Sequence, residues 1–466
     1  MIRVEVDQAR CEGHGVCQST APEVFTLNDD GVAEVAMDPI SEEITSRVLA
    51  AVRACPVAAI TSYPVEVSPP GAGPSLTAAS AGSPARPAGT VSTTDPSPIS
   101  WSEEHGGYWV VTGYAECRAI AGARTGFSSV PTVHIPPSGL AERGVRIYAL
   151  ESDEPAHRHE RAVLRGAVGP ASVDALSGWI RTRAVDLLHV LDWSGPVDLA
   201  SGFAYRLPLD VVSKVVGVPD GLAGELRLHT ETLLAPATQE QAEAAADRII
   251  EIATATITAR RDHPVGDWLD ELIASGGADG DVEDEAVRAV VALITGGHHS
   301  TSRALGSLIA RIFSEAGLLD ALLEDTSHIP AVAEETLRLH TPLPSFSRCA
   351  TDDHVVGATT IRAGEQILLR YADANVDSRT YDHAEQFDVD RERHEHLAFG
   401  WGVHRCVGMH LARAELRIGI EELLRLAPDV RLVAPIHWNG PALPATVTVR
   451  SDIAFTAQRK ICRHQP

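Results

Sequence analysis

Apolar residues recur at helical spacing through most of the chain beyond about residue 101. Amphipathic runs of this kind predict helices at residues 156–170, 174–192, 222–235, 238–262, 282–317, 329–340 and 407–425. Short runs such as YWVVT, VVGATTI and QILLR interrupt them and predict strands, and the stretch from LVAPIHW to SDIAF predicts a paired ribbon. This part of the chain is therefore expected to be mainly helical with a small β region.

A segment without periodicity divides the chain into two units. Residues 64–100 are dominated by Pro, Gly, Ala, Ser and Thr, and predict a flexible linker with an r.m.s. reach of about 30–35 Å. The unit before it combines a strand-like IRVEVD, a cysteine-containing loop and a helix that begins after Ser41. We therefore expect a small α+β domain at 1–63, a linker at 64–100 and a large domain at 101–466.

Charge and composition narrow the class of protein. A net charge of -24 argues against a nucleic-acid partner, because phosphates require a basic surface. The start MIRVEVDQARCEG lacks the apolar core of a signal peptide, and no run of 18 apolar residues predicts a membrane span. Seven scattered cysteines suit metal ligands and thiols in a reducing compartment better than a disulfide framework. We expect a cytoplasmic monomer without a membrane partner.

Three of the cysteines fall in the small domain. Cys11 and Cys17 bracket His14 in the string CEGHGVC, and Cys55 is followed by a proline. Loop thiolates joined by a distant Cys-Pro are typical of an iron–sulfur cluster. Zinc held by all three cysteines and His14 is the alternative, and thiols without a metal are a third interpretation.

The strings CEGHGVCQSTAPEVF and ACPVAAI resemble the small bacterial ferredoxins with one cubane-type cluster, over nearly all of residues 1–63. In that family the position of His14 is cysteine when the cluster has four irons, and it is commonly replaced in the three-iron members. The resemblance therefore implies a ferredoxin-like fold with a [3Fe-4S] cluster on Cys11, Cys17 and Cys55. A [4Fe-4S] cluster, with His14 on the fourth iron, is the alternative.

The most specific string of the large domain is FGWGVHRCVG at 399–408, where Cys406 begins an amphipathic helix. The N–H groups at a helix N-terminus stabilise a thiolate, and glycines let the backbone pass close beneath a flat cofactor. A buried structural cysteine is the competing interpretation of Cys406 taken alone.

The whole string resembles the haem-binding loop of the cytochromes P450, and the resemblance covers about residues 101–460. The loop residues that match are Phe399, Gly400, Gly402, His404, Cys406 and Gly408. The strings EETLRLH and FDVDR supply Glu335, Arg338 and Arg391, which match a buried structural network of the family. Further matches imply haem contacts, mainly to the propionates, by His157, Arg161, Arg348, His396 and His404.

The resemblance implies a mainly α cytochrome P450 fold with a small β region, and haem b bound through Cys406. It implies activation of dioxygen and oxidation of a small organic substrate. Neither domain contains a flavin or nicotinamide motif, so electrons are expected from an external NAD(P)H-dependent ferredoxin reductase.

The string TGGHHST at 295–301 corresponds to one that often reads AGHETT in the distal helix of the family. Gly297 then falls where the helix opens to admit oxygen, and His299 stands where an acid is usual, followed by Ser300 and Thr301. Because an imidazole can relay protons, His299 and Ser300 are expected to deliver them together. The alternatives for His299 are altered proton delivery, a contact with an anionic substrate, or a polar helix contact outside the pocket.

These features together predict a ferredoxin-fused monooxygenase of secondary metabolism or catabolism. A haem-thiolate catalyst of coupling or desaturation is the alternative enzyme, and a redox or gas sensor without turnover is the alternative from another class. The segments expected to form the substrate pocket are 130–152, 225–240, 293–299 and 342–347.

Overall fold

The computed structural model describes residues 2–6, 16–27, 33–36, 40–55, 60–64, 97–136, 146–234, 238–275, 281–391, 395–438 and 444–451. Cys11, His14 and nearly all of the predicted linker lie outside these ranges. No helix in the described ranges is long and apolar enough to cross a membrane.

The first unit mixes short strands and helices, as its sequence predicts. Its elements in chain order are β1 (Ile2–Val6), α1 (Val16–Thr20), β2 (Phe25–Leu27), β3 (Ala33–Val35), α2 (Glu42–Ala54) and β4 (Ile60–Pro64). Strands β1 and β4 pair antiparallel, as do β2 and β3. The apolar side chains of these elements form one small core, which includes Phe25, Val48 and Cys17.

Helices dominate the second unit. Those described are α3 (Tyr114–Gly122), α4 (Ala156–Val168), α5 (Pro170–His189), α6 (Arg206–Val216), α7 (Ala223–Leu234), α8 (Gln239–Asp262), α9 (Trp268–Ala274), α10 (Asp281–Gly297), α11 (His299–Ser314), α12 (Leu318–Glu324), α13 (Ile329–Leu339), α14 (Tyr371–Ala374) and α15 (Met409–Leu426). Most coincide with the predicted amphipathic runs. The predicted run at 282–317 differs, because it is divided into α10 and α11 at His298, which belongs to neither helix.

The β region is small. Its strands are β5 (Ile99–Ser102), β6 (Tyr108–Val111), β7 (Phe127–Ser128), β8 (Val197–Asp198), β9 (Phe346–Ala350), β10 (His354–Val356), β11 (Thr359–Ile361), β12 (Gln366–Leu369), β13 (Arg431–Leu432), β14 (His437–Trp438), β15 (Pro444–Thr446) and β16 (Thr448–Arg450). Five of them form one sheet in the order β5-β6-β12-β9-β7. Strand β5 begins at Ile99, so the end of the segment assigned to the linker belongs to this sheet.

The core of the second unit is built around α15, which packs against α5, α11 and α13. This helix also buries a carboxyl group inside the core. Glu415 is 1% exposed, and its Oε2 has no hydrogen-bond partner among the described residues. Burial raises its pKa well above the ordinary value, since a carboxylate loses its hydration there without gaining a cation.

Replacing Glu415 with glutamine is expected to stabilise the protein at pH 8 and to leave it nearly unchanged at pH 4. The folded state keeps the Glu415 proton above pH 4.5, whereas the unfolded chain releases it, so stability falls as pH rises toward the folded pKa. Between pH 4.5 and the folded pKa of Glu415, the free energy of unfolding falls by about 1.4 kcal/mol for each pH unit. Thermal unfolding followed across this pH range measures the effect.

A matched control is available on the same helix. Glu422 is also buried, but it is bonded to Arg181 and Arg425, so its replacement by glutamine should destabilise the protein at pH 8. Parallel pH profiles for the wild type and Glu415→Gln would show that Glu415 is not the source of the pH dependence.

Candidate active site

The loop before α15 holds Cys406 in a tight turn. The backbone N–H of Cys406 donates to the carbonyl oxygen of Phe399 at 2.8 Å. Gly400 and Gly402 have φ values of +67° and +69°, which side chains rarely tolerate. A Cβ on Gly402 would also lie 2.4 Å from the carbonyl oxygen of Ala121, so only glycine lets the loop rest on α3.

The Cys406 thiol faces an enclosed space. Its side chain is exposed by surface area, yet the surrounding protein raises its pKa through desolvation. Both observations hold when the sulfur borders a cavity inside the protein. The Gly408 backbone and the charge of Arg161 act in the opposite direction and favour the thiolate.

A cationic and imidazole-rich cluster lies near this space. The rings of His157 and His404 are 4.2 Å apart. Burial is the main cause that lowers the pKa of His404 to about 3, and the charges of Arg348 and Arg161 act in the same direction. His157 Nε2 and His404 Nδ1 are buried without a hydrogen-bond partner among the described residues. No carboxylate among the described residues shifts the pKa of Arg161, and Arg348 donates to the Ser347 carbonyl oxygen at 2.7 Å. Unsatisfied donors beside a cavity that contains a thiol fit a haem with its two carboxylates.

His396, expected among the propionate contacts, has a different partner. Its Nε2 lies 3.2 Å from Oε2 of Glu334, and the N–H of Ala398 donates to its Nδ1 at 3.2 Å, so the ring proton resides on Nε2. Arg413 binds the same carboxylate at 2.6 and 2.8 Å. Although burial acts to raise the pKa of Glu334, Arg413 and His396 hold it well below its ordinary range.

Neither Glu334 nor Arg413 is singled out by the sequence analysis. The acidic doublet Glu334–Glu335 was the available signal, since two carboxylates on one buried helix each require a cation. The sequence around Arg413 does not mark it as a site residue, because its partner is a carboxylate 79 residues earlier in the chain.

The predicted network of Glu335, Arg338 and Arg391 is brought together and buried. Arg338 donates to both Glu335 oxygens at 2.7 and 2.8 Å, and Arg391 Nε lies 3.2 Å from Oε1. Arg338 also donates to the carbonyl oxygens of Asn375 and Ala384 at 2.8 and 2.6 Å. Because these carbonyls lie in the segment that leads to the cysteine loop, the network positions that loop relative to α13.

The break between α10 and α11 borders open space on one side. Gly296 is exposed although Ile294 and His298 are buried, and a Cβ built on Gly296 would meet no atom within 4 Å. Ser300, one turn later, donates its hydroxyl to the Gly296 carbonyl oxygen at 2.9 Å. At Gly297 the backbone is close to α6, since an added Cβ would lie 3.1 Å from Val212.

The other predicted catalytic side chains at the break are buried. Thr301 is 4% exposed, and His299 is 7% exposed with its Nε2 2.9 Å from the carbonyl oxygen of Thr230. Burial lowers the pKa of His299 to about 3 and that of His298 to about 4, so both rings are neutral at physiological pH. The structure therefore places the His299 ring against α7.

In the first unit, two of the three expected cluster ligands are described. Cys17 lies on α1 and is buried in the small core, and Cys55 follows the last residue of α2 and packs against the same core. The helices α1 and α2 pack together, and both thiols adjoin the core between these elements. Cys11 and His14 lie outside the described residues.

Comparisons with known proteins find two families along the chain. Residues 322–426 match the family described as Cytochrome P450, and residues 4–62 match the one described as 4Fe-4S single cluster domain. Cytochrome P450-SOY of Streptomyces griseus is 32% identical over 334 residues, which cover 71% of this chain and 81% of the relative. Mycinamicin IV hydroxylase/epoxidase of Micromonospora griseorubida is 30% identical, with 71% and 85% covered.

A solved structure shares the fold. The LnmA cytochrome P450 hydroxylase from the leinamycin biosynthetic pathway of Streptomyces atroolivaceus S-140 superimposes with a TM-score of 0.66 at 28% identity, over 76% of this chain and 94% of that one. With its cysteine loop, its buried Glu-Arg-Arg network and these relatives, the chain belongs to the cytochrome P450 family of monooxygenases, and a ferredoxin-like single-cluster domain precedes its P450 domain.

Proposed function

We propose that this protein is a ferredoxin-fused monooxygenase whose first domain passes electrons to the haem domain of the same chain. The observation that carries the proposal is the presence of both domains in one polypeptide, joined by a segment composed as a flexible linker. A tether converts electron delivery from a bimolecular encounter into an intramolecular one at high effective concentration. The small organic substrate is oxidised with dioxygen, and a separate NAD(P)H-dependent reductase supplies the electrons.

In the P450 domain, Cys406 would hold the haem iron, and bound haem supplies the chemistry that activates dioxygen. Arg161 and Arg348 would neutralise the propionates, and the neutral rings of His157 and His404 would donate hydrogen bonds to them from their unpartnered nitrogens. Ser300 borders the open space beside Gly296 and would hold a proton at its Oγ.

In the first domain, we propose a [3Fe-4S] cluster on Cys11, Cys17 and Cys55. A [4Fe-4S] cluster that uses His14 is the alternative. Residues 1–63 contain ten acidic and four basic residues, so this domain has a net charge of -6 before any cluster is added. An acidic electron carrier is suited to a reductase with a basic docking surface.

Cleavage of the linker is expected to make haem reduction depend on protein concentration. A protease site placed between residues 71 and 90 would be cut after folding, and reduction by NADPH and a ferredoxin reductase would be followed with CO as a trap. With the reductase held at one saturating concentration, the intact protein should show a rate independent of its own dilution. At roughly 1 µM, the cut protein should be slower by up to about 10³-fold, the ratio of a millimolar effective concentration to the micromolar one that replaces it.

The uncut protein with the inserted site is the control. Concentrating the cut protein should restore the rate. A cut protein whose rate equals that of the intact protein at every dilution would contradict electron transfer through the tethered domain.

A further inference from the structure

We infer that His298 and His299 form a neutral hydrogen-bonded clamp that holds α7 against the break between α10 and α11, with His299 acting as a positioning residue. Both imidazoles are directed at the same residue of α7. His299 Nε2 lies 2.9 Å from the Thr230 carbonyl oxygen, and His298 Nδ1 lies 3.3 Å from the Thr230 hydroxyl. The two rings are in contact, with centroids 4.2 Å apart.

The clamp shares a limited number of protons. His298 Nε2 lies 3.2 Å from the carbonyl oxygen of Tyr205, so its single ring proton belongs there, and its Nδ1 is left as an acceptor. The Thr230 hydroxyl has one proton and lies closer to the Leu226 and Arg227 carbonyl oxygens, at 2.9 and 3.0 Å, so its contact with His298 is the weaker of the two contacts with α7. His299 Nε2 must carry a proton, because it faces a carbonyl oxygen. The clamp thus joins α7, the start of α6 and the helix break through two neutral imidazoles.

The surroundings keep these rings neutral. Both are buried, and the charged groups that face them are cationic: Arg227 on α7 faces His298, and Arg303 on α11 faces His299. No carboxylate among the described residues shifts the pKa of either ring. An ionised acid at position 299 would oppose the Thr230 carbonyl acceptor with another acceptor, so a carboxyl group can bond there only when it is protonated.

The clamp lies at the helix break, which borders open space. Gly296 and Ser300 border that space, while the intervening His298 and His299 reach in the other direction to α7. Helix α7 packs along α8, so a displacement of α7 would move both helices. Loss of the clamp should therefore loosen the wall of this space and speed the exchange of bound molecules.

Two substitutions at one position test the clamp. In His299→Ala the bond to Thr230 is lost, whereas in His299→Gln the side-chain amide can still donate to the carbonyl but cannot relay protons. Hydrogen exchange of the amides of residues 223–234 in the ferric protein, and the dissociation rate of 4-phenylimidazole from the haem, are the two measurements. Both should rise about three- to tenfold in His299→Ala and return close to wild type in His299→Gln.

The dissociation rate should also be flat between pH 6 and 9, because both imidazoles remain neutral throughout. Trp268→Phe is the matched control, since it removes a bond of the same kind, from Nε1 to the Val215 carbonyl oxygen at 3.0 Å, away from α7. Retention of wild-type exchange in His299→Ala would overturn the inference. So would His299→Gln behaving like His299→Ala while both bind haem normally.

Discussion

Replacing Cys406 with histidine is expected to abolish the strongly red-shifted Soret band of the reduced, CO-bound protein, while haem still binds. The shift depends on electron donation by a thiolate, and a neutral imidazole does not supply it. Cys406 lies in a loop that is held by the Phe399 carbonyl and by two left-handed glycines rather than by its own side chain. The substitution should therefore leave the loop folded. Monooxygenase activity should be lost with the shift.

Cys349 provides the control for this result. It is a partly buried thiol on β9, next to Arg348, and Cys349→Ser should retain the red-shifted band. A band that persists unchanged in Cys406→His would remove Cys406 as the iron ligand. If Cys406→His binds no haem, Cys406→Ser is measured instead, and the red shift must be absent from that variant as well.

Replacement of Cys17 or Cys55 with serine is expected to destroy the iron–sulfur signal and to reduce haem reduction by NADPH and reductase to its background rate. The haem spectra should be unchanged. Cys17 lies in the core of the first domain, and Cys55 packs against the same core. Loss of one of three thiolates leaves a cluster without a full ligand set. Electron paramagnetic resonance and stopped-flow haem reduction measure the two effects.

Cys117→Ser is the control in this case, because Cys117 is buried in the P450 domain and a serine can keep its bond to the Val111 carbonyl oxygen. Zinc in the purified protein, without inorganic sulfide and with no iron beyond that of the haem, would refute the cluster. A ratio of four rather than three cluster irons per chain would assign the fourth iron to a [4Fe-4S] cluster and bring His14 into its ligand set.

Features that depend on near neighbours in the chain were accessible from the sequence. The amphipathic run at 238–262 corresponds to the helix Gln239–Asp262, because helical periodicity is a local property. The turn around Cys406 was also accessible, since Gly400 and Gly402 supply the backbone angles that the loop needs. The pairing of Glu335 with Arg338 follows from their separation of one helical turn.

The partners of His396 and His299 depend on tertiary packing. His396 binds a carboxylate 62 residues away, and His299 binds a backbone carbonyl 69 residues away. Which of several carboxylates meets a given imidazole depends on how helices pack, and no local pattern encodes it. A bond to a backbone carbonyl is still less visible, because every residue carries that acceptor. Local sequence patterns were enough to predict most of the helices, the cysteine loop and the two kinds of domain, whereas long-range packing sets the direction of the histidine side chains.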